Sequence, residues 1–222
     1  MSEKEVYVLS GCRTPIGGFG KSLKDLKAFE LGSIVMKEAL NRAAVDSSDL
    51  DDVIFGDCIQ SSAEANTART AALKAGISHE VPAVTIQRQC SSGMQALIFG
   101  SQQIKSGDSD AVLVGGVESM SNAPYALYQA RWGARLTHGQ MQDSLWEILH
   151  SGSPLLGDSY IMGDTAENLA EKYNITREEQ DQVAFESHSK ALKAIEEGKF
   201  KDEIVPVELK SRKGTVVFDT DE

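Results

Sequence analysis

The sequence predicts an α/β protein, a mainly parallel sheet covered by helices, followed by an α+β loop domain. Three observations carry this expectation. Short β-rich runs alternate with helix-length segments as far as Glu118, the pattern of successive βαβ units. The run Ala111–Val117 is apolar without a break, as in a strand buried on both faces. After Glu118 the alternation stops, and Gly, Pro and Ser positions interrupt residues 119–162.

The elements follow in order. Val6–Leu9 reads as a short apolar strand ending in Ser10-Gly11. Leu31–Ala44 carries apolar residues at Leu31, Ile34, Val35 and Leu40 and predicts a helix. Val53–Ile59 is a second β-rich run. Ala68–Gly76 is an Ala-rich helix with Gly76 closing it. Val81–Ile86 is a third strand, and Pro82 sits at its start, where a missing N–H is tolerated. Ser91–Ser106 places Met94, Leu97, Ile98 and Ile104 on one helical face and stops at Gly107. Helix signals return at Asp164–Lys172. Thr176 and Glu179 form a capping box that opens a helix to about Glu197, stopped by Gly198. Ile204–Leu209 and Thr215–Phe218, joined by a Lys-Gly turn at 213–214, predict a hairpin. The expected division is a domain of residues 1–118 and a loop domain of residues 119–222.

Composition excludes several function classes. The 222 residues carry 22 basic and 33 acidic side chains, a net charge of −11. Such a chain is a poor generic nucleic-acid binder, because phosphate neutralisation needs clustered Lys and Arg. Cys12, Cys58 and Cys90 are widely spaced, with no C-x-x-C, which points to a reducing compartment rather than a disulfide or zinc framework. The N-terminus has neither the apolar core of a secretory signal nor the character of a transit peptide, so a cytoplasmic location is expected. No apolar run approaches the roughly 20 residues of a membrane span.

Cys90 is the sharpest chemical feature. It lies between the third strand and the next helix, in Gln87-Arg88-Gln89-Cys90-Ser91-Ser92-Gly93-Met94. Unpaired N–H groups and the positive dipole end of a helix favour a thiolate and can hold a developing oxyanion. A lone cysteine is more often plain core, and on these residues alone a nucleophile and a packing residue are equally good readings. Cys12 and Cys58 lack that context and read as packing or pocket-lining residues. The run Pro15–Ser22 nearly spells a phosphate-binding loop, but Pro15 stands where the motif needs Gly, so it reads as a glycine-rich loop with nucleotide binding a minor alternative. His79, His138, His150 and His188 show no ligand spacing, and no metal site is expected. A cysteine nucleophile needs a base, and none is identifiable in the chain.

Gln89-Cys90-Ser91-Ser92-Gly93-Met94-Gln95-Ala96 resembles the nucleophile motif of thiolases, the acetyl-CoA acyltransferase and acetyltransferase family. Further stretches match in order: Arg13–Gly17, Asn66–Arg69, Gly115–Pro124, Met162–Asn168 and Lys201–Pro206. The resemblance covers essentially the whole chain. It implies a thiolase-like layered fold and ping-pong acyl transfer between coenzyme A thioesters, with fatty-acid metabolism as the setting. Cys90 would carry the acyl group as a thioester, and its own N–H would contribute to an oxyanion hole. Met162 would belong to the substrate- and CoA-binding residues. Coenzyme A is then a substrate, and no other cofactor and no metal are implied. Ile161 stands where short-chain biosynthetic members carry His, which favours degradative or other 3-ketoacyl-CoA substrates.

Thiolases are about twice this length. The Asn-Glu-Ala, Gly-His-Pro and Cys-Gly-Gly-Gly motifs of their second half, which supply activation and acid/base groups, do not occur here. The chain is therefore expected to be an N-terminal half with an incomplete loop domain, inactive alone and partnered by the C-terminal half. The family also implies a homodimer or homotetramer, with the strand near Val84–Gln87 at the dimer contact. A different class of reading is a non-catalytic CoA-binding or assembly module that keeps the fold.

Overall fold

The computed structural model describes residues 4–150, 160–212 and 214–222. They divide into two compact units, residues 4–123 with 202–222, and residues 124–201 without the undescribed stretch.

The first unit is built on three parallel strands. β1 (Asp52–Gly56) lies between β2 (Ala83–Ile86) and β3 (Val112–Gly116). Val53 stands opposite Ala83 and Leu113, and Ile54 opposite Val84 and Val114. Alternation along β1 sends Val53 and Phe55 into one core with Met36 of α1 (Ala28–Ala43) and Ala68, Ala71 and Ala72 of α2 (Thr67–Ala75). The opposite face carries α3 (Ser92–Ser106), whose Gly100 sits against Val112 and Val114. The Ala-rich face of α2 explains how α1 and α2 pack closely over one side of the sheet. Helices on both faces of parallel strands confirm the α/β class.

Helix starts and stops follow local chemistry. Asn66 caps α2 by accepting the Arg69 N–H at 3.0 Å. Gly76 and Gly107 close α2 and α3 in the left-handed region, at φ 90° and 89°. α1 begins three residues before Leu31, because Glu30 reaches back to the Lys27 N–H at 3.1 Å.

Val6–Leu9 departs from expectation. The segment is not a strand, and Tyr7, Val8 and Leu9 are 72%, 77% and 68% exposed. A cleft of about 270 Å³ separates it from β3, lined by Val6–Cys12, by β3 and by residues of α1 and α3. A strand needs a neighbouring ladder within about 5 Å, and the gap denies it one.

Residues 202–222 also depart from expectation, since they pack with the first unit instead of extending the loop domain. The cause is Arg13. Its backbone pairs with Glu203 and Val205, and its guanidinium donates to Glu203 at 2.7 Å and in a two-pronged fashion to Asp221 at 2.7 and 2.9 Å. Arg13 holds the Asp221 carboxyl below the usual aspartate range. The hairpin itself is as expected, with β6 (Val207–Ser211) antiparallel to β7 (Gly214–Phe218) and Val207 opposite Phe218. Lys213 of the expected turn lies outside the described residues. Arg13→Ala is expected to cost about 1–3 kcal/mol in urea unfolding, because it leaves two carboxylates without their charged donor.

The second unit holds β4 (Tyr125–Ala126) paired antiparallel with β5 (Gln142–Asp143), α4 (Ser144–Leu149), α5 (Met162–Tyr173) and α6 (Arg177–Glu196). The capping box is present at α6: Thr176 accepts the Glu179 N–H at 3.2 Å, and Glu179 accepts the Thr176 N–H at 2.8 Å. Leu169, Val183, Phe185 and Leu192 remain exposed on α5 and α6.

Candidate active site

The three parallel strands end together, and the segments leaving them form one cluster. Asp57 and Cys58 follow β1, Gln87–Ser91 follow β2, and Val117 and Glu118 follow β3. In open parallel sheets this carboxyl edge is where ligands bind.

Close approach of α3 makes the cluster possible. Gly56, Gly93 and Gly116 stack where α3 begins. A Cβ on Gly56 would lie 2.4 Å from the Ser92 carbonyl carbon and 2.6 Å from the Gly93 nitrogen, and one on Gly116 would lie 3.0 Å from the Gly93 Cα. Only hydrogen at Gly56 lets the helix start rest on the strand end, and Gly116 leaves little more room.

Cys90 sits on the turn just ahead of α3. Gln89, before it, holds φ +49°, a strained conformation for a residue with a side chain. Ser92 fastens the turn: its Oγ accepts the Arg88 N–H at 2.8 Å and donates to the Gln89 carbonyl at 2.6 Å. Ser91 Oγ donates to the Arg88 carbonyl at 2.9 Å. The helix proper begins at Ser92, two residues later than Cys90. Among the described residues, the backbone N–H groups of Cys90, Gly93 and Met94 find no backbone acceptor outside α3. Cys90 and Met94 are exposed, so a thioester carbonyl can reach this end of the helix.

The other two cysteines are held differently. Cys58 Sγ donates to the Gln89 carbonyl and lies 3.5 Å from Ser92 Oγ. Burial pushes its thiol up, opposed by Ser92 and reinforced by Glu118. Cys12 Sγ donates to the Val35 carbonyl at 3.4 Å, and burial likewise raises it. Both thus favour the neutral thiol, and Cys90 alone among the three is exposed. The structural role of Cys58 as a brace for the Gln89 carbonyl was not legible as such, although its place at the end of β1 was the available signal.

Met162 opens α5 in the second unit, 53% exposed, and Ile161 precedes it as the helix cap. Cys90 and Met162 therefore belong to different compact units. Among the described hydrogen bonds none joins Cys90 to a histidine; His150 Nδ1 lies 2.8 Å from the Trp146 carbonyl, and the His79 carbonyl accepts from Arg69.

The glycine-rich loop is not a phosphate cradle. Its amides already face carboxylates: Gly18 N–H donates to Glu222 at 2.7 Å and Ile16 N–H to Asp221 at 2.8 Å, while Ser22 Oγ donates to Glu222. No helix begins after Lys21 until Ala28, so the dipole that a phosphate loop requires is missing as well.

Comparison with known proteins agrees with this geometry. Residues 6–222 match the family described as "Thiolase, N-terminal domain". An acetyl-CoA acetyltransferase of Syntrophomonas wolfei subsp. wolfei is 47% identical over 219 residues, covering 99% of this chain and 55% of that protein. A beta-ketothiolase, BktB, of Cupriavidus necator is 47% identical over 220 residues with the same coverage. The crystal structure of the Bacillus anthracis acetyl-CoA acetyltransferase superposes with a TM-score of 0.92 at 52% identity, over 97% of this chain and 54% of that one. The chain thus spans about half the length of these relatives, and among the described residues no helix is long and apolar enough to cross a membrane. Its parallel strands, its glycine-seated helix and its match over residues 6–222 make the chain a member of the thiolase family, corresponding to the N-terminal domain.

Proposed function

We propose that this chain is the nucleophile-bearing portion of an acyl-CoA C-acyltransferase, with Cys90 as the acyl carrier. The observation that carries the reading is the exposed Cys90 on a strained turn, beside N–H groups without an acceptor among the described residues, at the carboxyl ends of three parallel strands. In the cleaving direction the Cys90 sulfur attacks the 3-keto carbon of a 3-ketoacyl-CoA. The C2–C3 bond breaks, its electron pair stays on C2, and C2 takes up a proton as acetyl-CoA leaves. The thiolate of free CoA then attacks the Cys90 thioester and expels the cysteine sulfur, releasing the shortened acyl-CoA. The reverse sequence condenses an acyl group with acetyl-CoA. Met162 contributes to the substrate side from the loop unit. The protein acts in the cytoplasm on fatty acyl substrates, with CoA as substrate and without nucleic acid.

The proton handling needs a base that is not identifiable in this sequence, so the proposal includes a partner, the C-terminal half of the fold. Two features support it. The cleft between Val6–Cys12 and β3 has apolar walls that include Val35, Leu97 and Val114. The helices α5 and α6 expose Leu169, Val183, Phe185 and Leu192. A homodimer or homotetramer fits the outer edge of β2, which no strand pairs among the described residues and where Val84 is 41% exposed.

The test is turnover of a 3-ketoacyl-CoA with CoA, by the 222-residue chain alone and mixed with a C-terminal half from a relative. Turnover is expected only in the mixture. Comparable turnover by the chain alone would refute the need for a partner. CoA binding by the mixture without acylation of Cys90 would favour the non-catalytic CoA-binding or assembly module.

A further inference from the structure

The Gln89 carbonyl, joined directly to the Cys90 nitrogen, is held by three donors at once. Ser92 Oγ donates to it at 2.6 Å, Cys58 Sγ at 2.7 Å and the Ser92 N–H at 3.1 Å. A carbonyl oxygen has two lone pairs, so this one is saturated. Ser92 belongs to the start of α3, but Cys58 reaches in from the end of β1. Cys58 is itself fixed on both sides of its backbone. Its N–H donates to Glu118 at 3.1 Å, and its carbonyl accepts the Gln87 side-chain amide at 3.3 Å. Burial raises the Cys58 thiol, against the Ser92 hydroxyl and with the Glu118 charge, so the sulfur keeps the proton it donates.

What holds that oxygen also governs Cys90. A trans peptide is planar, and its C=O and N–H point in opposite directions. No cis peptide occurs among the described residues. Anchoring the Gln89 oxygen between Cys58 and the buried Ser92 therefore turns the Cys90 N–H the other way. That N–H finds no backbone acceptor outside α3 among the described residues. The three donors also keep Gln89 at φ +49°, a conformation that a residue with a side chain leaves unless it is held. Donation to the oxygen polarises the whole amide, which makes its N–H a stronger donor by roughly 10–30% per bond.

We propose that Cys58 is a positioning residue for acyl transfer: its thiol, together with Ser92, aims and polarises the Cys90 N–H toward the developing oxyanion. The inference rests on the reading of Cys90 as acyl carrier. As the acyl carbon becomes tetrahedral its oxygen gains charge, and an aimed N–H holds it more strongly then than in the substrate complex. Cys58 touches neither substrate nor reacting atoms and acts through one peptide group. A packing role would give a different result, because any side chain of similar volume would then serve.

The experiment compares the wild type with Cys58→Val, which keeps the volume and loses the donor, and Cys58→Ser, which keeps a donor. Each 222-residue chain is mixed with the C-terminal half from a relative and acylated by a 3-ketoacyl-CoA. C58V is expected to slow single-turnover acylation about tenfold at saturating substrate, with the half-saturating concentration unchanged, and C58S to recover most of the loss. The infrared thioester carbonyl band of acylated C58V is expected at higher frequency, and that of C58S near the wild-type position. In the chain alone, the NMR resonances of the Gln89 carbonyl carbon and the residue-90 N–H are expected to shift upfield in C58V, in the C90A background as well. A Cys58 S–H stretching band lowered by donation, present in the wild type and absent from C58S, reads the bond directly should C58V fail to fold. Wild-type acylation and an unmoved thioester band in C58V would overturn the inference, as would an S–H band at the free-thiol position. A slow C58V that C58S does not restore would also overturn it. If the wild type takes up no acyl group, the reading of Cys90 fails, while the NMR resonances still decide whether Cys58 sets the N–H of residue 90.

Discussion

Replacing Cys90 with alanine is expected to lower acyl transfer by about 10⁴-fold or more in the reconstituted enzyme, the usual scale for loss of a covalent nucleophile. The same change is expected to leave stability within about 0.5 kcal/mol, because Cys90 is exposed and its sulfur braces no other group among the described hydrogen bonds. The measurement has two arms. Intact mass after incubation with acyl-CoA should show one acyl group on the wild type and none on C90A, and urea unfolding should superpose. Iodoacetamide adds a check at neutral pH. Cys90 should alkylate well ahead of Cys58 and Cys12, whose thiols are raised by burial and tied to carbonyls. Acyl-enzyme formation by C90A, or alkylation led by Cys58, would move the nucleophile elsewhere.

Gly56→Ala is expected to be the most damaging single methyl group in the site. The new Cβ meets the Ser92 carbonyl carbon at 2.4 Å and the Gly93 nitrogen at 2.6 Å. Both are backbone atoms at the start of α3, so no side-chain rotation relieves the clash. Either β1 or the helix must shift, at a cost of about 3 kcal/mol or more. Any shift of α3 moves Ser92, which fastens the turn, and with it Cys90. A displacement of about 1 Å is enough to lower rate about 100-fold. G56A should therefore show a lowered urea midpoint together with acylation slowed well beyond the loss of folded protein. A fully active G56A of unchanged midpoint would mean that α3 is not seated on the strand end. Gly11, with no atom within 4 Å of a built Cβ, is the control position.

Much of the fold was legible because local rules and burial agreed. The Ala-rich face of α2, the caps at Gly76 and Gly107 and the box at Thr176 and Glu179 each have one low-energy solution, and the structure adopts it. Cys90 stood out because a strand, a turn of small residues and a helix are written contiguously around it. Val6–Leu9 misled because an apolar β-rich run states a preference for pairing but not whether a neighbour exists to satisfy it. The run Pro15–Ser22 is the glycine-rich loop it was read as, but what holds it was not legible. Its Ile16 and Gly18 amides donate to Asp221 and Glu222, about 200 residues away in the chain, which no local motif can show.

By itself the sequence determined the class of fold, most of the helices, the family and the candidate nucleophile, since each depends on residues near one another in the chain. Only the tertiary structure decided what surrounds that nucleophile. It brought Gly56, Gly93 and Gly116 into contact, set Cys58 beneath the Gln89 carbonyl and turned Glu118 onto the Cys58 and Ile59 amides. These residues come from three different strand ends. Their proximity follows from the parallel register of β1, β2 and β3 and from the close seat that Gly56 gives the start of α3.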